Sequence, residues 1–356
     1  MGARASGTRL QRMEQSDRWR DGHFVDVLPR VEAPFFAAMK AWSTQSSAHS
    51  MPAEAPRVVQ RVAADFVEPP ADGLRITWLG HSTLLIEIDG MRVLVDPVWG
   101  ERASPFGWLG PKRFFPPPLP FDDLPPLDAI VISHDHYDHL DFPTIRRFLS
   151  SDVPFVVPLG VGAHLEHWGV PAHRIIELEW WQEQTLGSLR LVATPARHFS
   201  GRSMLMRDRD CTLWAGWALV GPEHRIFYSG DTAMFPGFAE IGERLGPFDA
   251  TMIESGAYNA MWADVHLGPE QAVQAHIMVR GDVMIPVHWG LFDLALHSWT
   301  EPIERVLVAA RERGVTVATP QPGASVEPGT ANPVTRWWPP TPWQTAAEAP
   351  LVSSNL

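Results

Sequence analysis

Residues Ser133-His134-Asp135-His136-Tyr137-Asp138-His139-Leu140-Asp141 gather three imidazoles and several carboxylates into one short segment. It follows Leu127-Asp128-Ala129-Ile130-Val131-Ile132, an apolar, β-branched run of the kind that forms a buried strand. A strand ending in H-x-H-x-D-H delivers a rigid set of nitrogen and oxygen donors to one edge of a sheet. Neutral imidazole and carboxylate are the donors that zinc and its neighbours prefer. With 15 histidines in the chain, a solvated polar loop is the competing explanation, but the order of these residues directly after a strand points to metal.

Three more donors share that placement. His198 follows a strand expected over 189–193, Asp231 one over 226–228, and His288 one over 283–287. Loops at strand ends converge over a rigid sheet, so groups far apart in sequence can meet there. His134, His136 and His198 could hold one metal, Asp138, His139 and His288 a second, and the two oxygens of Asp231 could bridge them. Taken singly, each of the last three is an ordinary loop residue; together they extend the first cluster. Gly230 and Gly290 suit tight turns beside Asp231 and His288.

The elements that must carry these donors alternate along the chain. Strands are expected over 74–79, 83–88 and 91–95, the last two joined by Asp89-Gly90, a two-residue hairpin signal. Further strands are expected over 155–157 and 249–253, the second running into Glu254-Ser255-Gly256. Asp141 is placed to cap a helix with Pro143 in its first turn and Ile145, Phe148 and Leu149 on one face. Helices are also expected over 34–42, 269–279 and 301–313, the last capped by Thr300 and stopped by Gly314. Three regions follow: an irregular N-terminal extension over 1–70, a catalytic domain over 71–320, and a peripheral C-terminal tail over 321–356. Within the domain, 97–126 is a proline-rich, aromatic insertion, either a binding cover or a packing segment.

Composition limits the function. At 356 residues with 45% hydrophobic and 20% charged residues, the chain is globular. A net charge of −12 argues against nucleic acid as a partner. Cys211 stands alone, so no internal disulfide forms. No stretch is long and apolar enough to span a bilayer, and no signal peptide is evident. The cytoplasm is the expected location, with peripheral contact at a membrane allowed. Some of the 16 tryptophans suit a lipid interface.

The pattern H-x-H-x-D-H with a later His, Asp and His resembles the metallo-β-lactamase superfamily. The segments WLGHSTLLIEIDGMRVLVDPVWGERASPFGWLGPKRF, IVISHDHYDHLD, PARHFSGR, SGDTAMFP, GAYNAMWADVHLGPEQAVQAH and PVHWGLFDLALHSWTEP, with DRWRDGHF near the start, are similar to a narrower family. That family is the phospholipases D that hydrolyse N-acylphosphatidylethanolamine, with their bacterial relatives, and the resemblance covers roughly residues 17–315. It implies an α/β fold, the metallo-β-lactamase αβ/βα sandwich of two mixed β-sheets flanked by helices. It also implies two Zn2+ ions per chain, with Mn2+ or Fe2+ as alternatives. The seven metal ligands implied are His134, His136, Asp138, His139, His198, Asp231 and His288. His at position 136, where the flavoprotein branch has Glu, favours zinc.

The implied function is a dinuclear-zinc phosphodiesterase of phospholipase D type, in which a metal-bridging hydroxide attacks phosphorus. Its partner would be a small-molecule or phospholipid substrate, and a homodimer is allowed. Asp138, Asp231 and His266 are the catalytic candidates; His266 would bind phosphate or protonate the leaving group. A helix-start histidine bonded to backbone is the competing account of His266. Asp96 is expected to orient the histidine loop, and His81 to lie near the metals without binding them. Rival functions are a metal-dependent lactonase like the ascorbate-phosphate lactonases, or a non-catalytic metal-binding scaffold. A lipid substrate calls for an apolar groove, for which Phe106, Trp108, Leu109, Phe114 and Phe115 are candidates.

Overall fold

The computed structural model describes residues 1–31, 33–203, 207–330, 334–354 and 356. The N-terminal extension forms helix α1 (Gly7–Glu14), a ribbon of β1 (Trp19–Arg20) and β2 (His23–Phe24), and helix α2 (Phe35–Gln45). A first group of elements follows: β3 (Leu74–Trp78), β4 (Leu84–Ile88), β5 (Met91–Val95), β6 (Ala129–Val131), α3 (Phe142–Arg147), β7 (Phe155–Pro158), α4 (Gly162–His167) and β8 (Ile175–Leu178). The second group is β9 (Glu183–Leu186), β10 (Leu189–Thr194), β11 (Gly216–Val220), β12 (Arg225–Tyr228), α5 (Gly237–Leu245), β13 (Phe248–Glu254), α6 (Pro269–Met278), β14 (Gly281–Val287), α7 (Glu301–Arg313) and β15 (Thr316–Val317). The last strand is β16 (Ser325–Val326).

These strands make two seven-stranded mixed sheets, ordered β16-β3-β4-β5-β6-β7-β8 and β15-β14-β13-β12-β11-β10-β9. The hairpin at Asp89-Gly90 pairs Ile88 with Met91, and both turn residues have positive φ, as a two-residue hairpin turn demands. Strand residues are buried on both faces, and the two-residue period sorts them. Leu84, Ile86, Val93 and Val95 pack between the sheets with Leu191, Trp217, Leu219 and Ile285. Leu85 and Leu94 point outward into the layer containing Ile145, Phe148 and Leu165. On the opposite side, Ile241, Ala272, Val273 and Val306 cover the second sheet. The result is the expected sandwich.

Several local expectations change. Asp141 does accept a hydrogen bond from Thr144 N at 3.1 Å, but α3 ends at Arg147, so Phe148 and Leu149 lie beyond it. Thr300 precedes α7 without capping it; its hydroxyl is directed to Thr341 instead. Gly314 ends α7 in the left-handed conformation, φ 68°. The tail does not stay at the periphery. It supplies β16, with Val326 opposite Ile76, and its Trp337 and Trp338 pack on Trp289 at 5.2 and 5.4 Å. The N-terminal extension likewise sends Met13 and Phe24 into the core between the sheets.

Candidate metal centre

Five strand ends meet at one edge of the sandwich. The loop after β6 carries His134, His136, Asp138 and His139; His198 follows β10, Asp231 follows β12, Glu254 ends β13 and His288 follows β14. Glu254 and Val287 are paired across β13 and β14, so these two strands finish at the same level. His288 has a φ of 64° and donates its backbone N–H to His81 O at 3.0 Å, which turns its ring back over the sheet edge.

The seven donors named from the sequence come together as two sets. In the first, His134 Nε2 and His198 Nε2 lie 2.8 and 3.3 Å from His136 Nδ1, and each lies 3.7 Å from Asp231 Oδ2. In the second, His139 Nε2 lies 3.5 Å from Asp138 Oδ2 and 3.2 Å from Asp231 Oδ1, while His288 Nε2 lies 3.4 Å from Asp138 Oδ2 and 3.0 Å from Asp231 Oδ2. Asp231 therefore stands between the sets. Most members are buried; His136 and Asp138 are only partly so and mark the side open to solvent.

Chemistry around the rings selects which nitrogen faces inward. His139 Nδ1–H donates to Asp96 Oδ2 at 2.7 Å, and His198 Nδ1–H donates to Val265 O at 2.8 Å. Ser133 Oγ–H donates to Asp96 Oδ2 at 2.6 Å, so His134 Nδ1–H must donate to Ser133 Oγ, 2.9 Å away. In all three rings Nε2 is the nitrogen turned toward the centre. Among the described residues, His139 Nε2, His288 Nε2 and Asp231 Oδ1 are buried without a hydrogen-bond partner although they face one another. Orphaned polar atoms of this kind are costly unless something binds them. Tetrahedral bonds of about 2.0–2.1 Å put neighbouring ligand atoms about 3.4 Å apart, close to the spacings here. The residues fit a pair of divalent cations held by nitrogen and oxygen.

Electrostatics separates the donors. Burial, helped by the neighbouring imidazoles, holds His134 well below the usual histidine range, and burial lowers His198 and His136 too. Burial also opposes the charged forms of His139 and His288. Asp231, Asp138 and Asp96 outweigh it at His139, raising it well above the usual value, and Asp231 with Asp138 brings His288 to about 10. Burial would raise the two aspartates, yet the same imidazoles hold Asp138 and Asp231 well below the usual carboxylate range.

The other expected residues are close by. Asp96 accepts from Ser133 N, Ser133 Oγ, His139 Nδ1 and Tyr228 Oη, the last at 2.5 Å. His81 Nε2–H donates to Asp138 Oδ2 at 2.9 Å, which leaves that nitrogen no lone pair for a metal. His266 stacks on His288 with centroids 5.2 Å apart. Its Nδ1–H does not bond to backbone; it donates to Glu254 Oε2 at 2.8 Å. Glu254 is the residue that sequence reasoning passed over. The one available signal was its place at a buried strand end beside those of Asp231 and His288.

The insertion divides. Phe115 is buried with Val98, Leu291 and Phe292, so it belongs to the core and not to a groove, and Phe114 packs against Trp299. Trp108 and Leu109 are 75% and 51% exposed, and Phe106 lies beside Trp108 at 5.6 Å.

The chain matches the Beta-lactamase superfamily domain over residues 91–289. The chain belongs to the metallo-β-lactamase superfamily. It is 45% identical over 348 residues to an uncharacterized protein of Mycobacterium tuberculosis strain H37Rv, covering 95% of this chain and 91% of that protein. It is 38% identical over 255 residues to N-acyl-phosphatidylethanolamine-hydrolyzing phospholipase D 1 of Caenorhabditis elegans, covering 67% of this chain and 71% of the relative. A metallo hydrolase from the archaeon Ignicoccus hospitalis shares the superfamily fold, with TM-score 0.54 and 20% identity over 71% of this chain and 97% of that one. The chain is thus a metal-dependent hydrolase of this superfamily with phospholipase D homologues. Among the described residues no helix is long and apolar enough to cross a membrane.

Proposed function

We propose that this chain is a phosphodiesterase of phospholipase D type that works with two divalent cations, zinc for preference. His134, His136 and His198 would hold one, Asp138, His139 and His288 the other, and Asp231, standing between the two sets, would serve both. The observation that carries this reading is the meeting of two donor sets on the single carboxylate of Asp231. Five imidazoles with carboxylates and no thiolate suit zinc, as they suit iron and other imidazole-binding cations. The 38% identity to a phospholipase D that acts on N-acylphosphatidylethanolamine supports a phosphodiester substrate of that kind or a smaller relative.

When bound, the cations supply Lewis acidity toward a phosphoryl oxygen and bring the pKa of a water near neutrality. The chain's own residues do the rest. The ring partners Asp96, Ser133 and the Val265 carbonyl hold three donors in one tautomer, so no reorganisation is needed as substrate arrives. His266, tied through Nδ1, leaves Nε2 as the nitrogen that would take up a proton and donate it to a phosphate oxygen or the leaving oxygen. In the net reaction a water oxygen bonds to phosphorus, the bond from phosphorus to the alcohol oxygen breaks, and a proton ends on that alcohol.

The test is direct. Zinc-loaded protein is incubated separately with N-acylphosphatidylethanolamine, bis-(p-nitrophenyl) phosphate and a panel of lactones, with Asp231→Asn as control. Turnover of the phosphodiesters is expected, with a loss of more than about 100-fold in Asp231→Asn and a fall in bound metal. Turnover of lactones alone would overturn the phosphodiesterase reading.

A further inference from the structure

The inference concerns Glu254 and rests on the role given above to His266. Glu254 is fully buried, and its two oxygens serve three donors on two loops. Oε1 accepts from Thr232 N at 2.7 Å and from Leu267 N at 3.0 Å. Oε2 accepts from His266 Nδ1 at 2.8 Å. Thr232 follows the bridging Asp231, and Leu267 follows His266. One carboxylate therefore sets the spacing between the Asp231 loop and the His266 loop and fixes the rotation of the imidazole between them.

The same carboxylate also sets the chemistry of that ring. The carboxylate oxygens act as acceptors toward every donor they meet, so in this hydrogen bond the proton sits on Nδ1 of His266. Nε2 is then the nitrogen that meets a ligand, and in the neutral ring it is an acceptor. His266 is only partly buried, unlike Glu254, so this nitrogen lies on the accessible side of the pair. Donation to an anionic phosphate or a departing oxygen calls for a second proton, on Nε2, which leaves the Nδ1 bond to Glu254 in place.

We infer that Glu254 is a positioning residue: it acts through His266, selecting its tautomer and its distance from Asp231 without touching substrate. The substitution Glu254→Gln isolates that role because the two backbone donors dictate how the new amide sits. Thr232 N–H and Leu267 N–H require an oxygen, so the amide NH2 of glutamine faces His266. Nδ1 of His266 must then accept, and the proton moves to Nε2. The substitution changes none of the seven named metal donors, although Oε2 also lies 3.9 Å from His288 Nδ1, and it exchanges one tautomer of His266 for the other.

Two readouts test this in the metal-loaded full chain. Long-range 1H–15N NMR of the histidine rings is expected to show a protonated Nδ1 at His266 in the parent protein and an Nε2–H, bare-Nδ1 ring in Glu254→Gln. The parent spectrum needs no variant and no substrate, and a bare Nδ1 there would overturn the proposal. The second readout is a double-mutant cycle on bis-(p-nitrophenyl) phosphate hydrolysis. Glu254→Gln should lower kcat about tenfold or more alone, and less than about twofold in a His266→Ala background, with two equivalents of metal retained. Equal losses in both backgrounds, or loss of metal with loss of activity, would mean that Glu254 is a general structural support. A parent protein inactive on every phosphodiester would sink the phosphodiesterase reading while the NMR outcome still decides the role of Glu254.

Discussion

Every imidazole of the first and second donor sets lies among neighbours that decide its protonation. Without metal the two sets behave oppositely. His134, His136 and His198 are kept neutral by burial, whereas His139 and His288 are kept charged by Asp96, Asp138 and Asp231. The pH dependence of the metal-free chain follows. A histidine raised on folding stabilises fully below its unfolded value of about 6.5, and that contribution fades as pH climbs toward the folded value. For His288 the fading runs from about 6.5 to the folded value of about 10. A histidine lowered on folding works the other way: below about 6.5 the unfolded chain takes up protons that the folded chain resists. Asp138 and Asp231, depressed in the fold, lose their contribution at still lower pH. The Tm of the metal-free chain is therefore expected to peak near pH 6.5 and fall on both sides. Metal at His139 and His288 removes their protons, so the alkaline fall should give way to a rise when zinc is present. Scanning calorimetry from pH 5 to 9 with and without chelator measures this. A metal-free Tm that climbs steadily across that range would show that His139 and His288 are not held charged.

At the scale of elements, Asp96 does most to hold the donor loop in place. It follows β5, has a φ of 40°, and receives Ser133 from the end of β6 together with Tyr228 from β12 in the other sheet. Ala215 N donates to Ser133 O at 2.9 Å and Trp217 Nε1 to Ile132 O at 3.0 Å, so the two sheets are tied where the histidine loop begins. Asp96→Ala would leave four buried donors without an acceptor. We expect a loss of about 3 kcal/mol or more in denaturant unfolding and a 10- to 100-fold drop in metal affinity, roughly the cost of removing a partner behind a ligand. An Asp96→Ala protein that binds zinc as tightly as the parent would show that Asp96 does not orient His139. The expectation for Asp96 and the sandwich class both came from the family resemblance, while the residue pattern itself carried strand-sized apolar runs alternating with helices. What escaped the sequence depends on partners far along the chain. Glu254 looks like any acid at a strand end until His266 and Thr232 are seen beside it. Strand β16 exists only because Val326 meets Ile76, some 250 positions earlier. Thr300 has a capping residue's chemistry, but Thr341 from the tail takes its hydroxyl. Within the insertion Phe115 and Trp108 are equally apolar, and only tertiary packing buries one and leaves the other in solvent.

For the whole molecule, that exposed tip poses the question of how an acidic protein would reach a lipid substrate. A net charge of −12 works against general attraction to an anionic membrane, so the expected driving force is not the headgroup charge. Trp108 and Leu109 instead stand out on a short loop whose ends are held by pairing of Arg102 with Lys112. The pairing limits how far the tip can fold back to cover them. Burying two such side chains contributes roughly 1.5–3 kcal/mol each, which amounts to weak, reversible attachment. Tryptophan is also suited to the boundary, since its ring is apolar and its N–H can stay hydrated. We therefore expect cosedimentation with zwitterionic phosphatidylcholine vesicles, nearly independent of salt between 50 and 500 mM, because little of the attraction is ionic. Trp108→Ala with Leu109→Ser should abolish it and lower turnover of vesicle-borne N-acylphosphatidylethanolamine about tenfold or more. Hydrolysis of water-soluble bis-(p-nitrophenyl) phosphate should change by less than about twofold, since neither residue belongs to the donor sets. Binding that appears only with anionic vesicles and disappears in salt would assign the attachment to a basic patch and remove the loop from the account. Equal losses on both substrates would place Trp108 and Leu109 in the support of the metal centre.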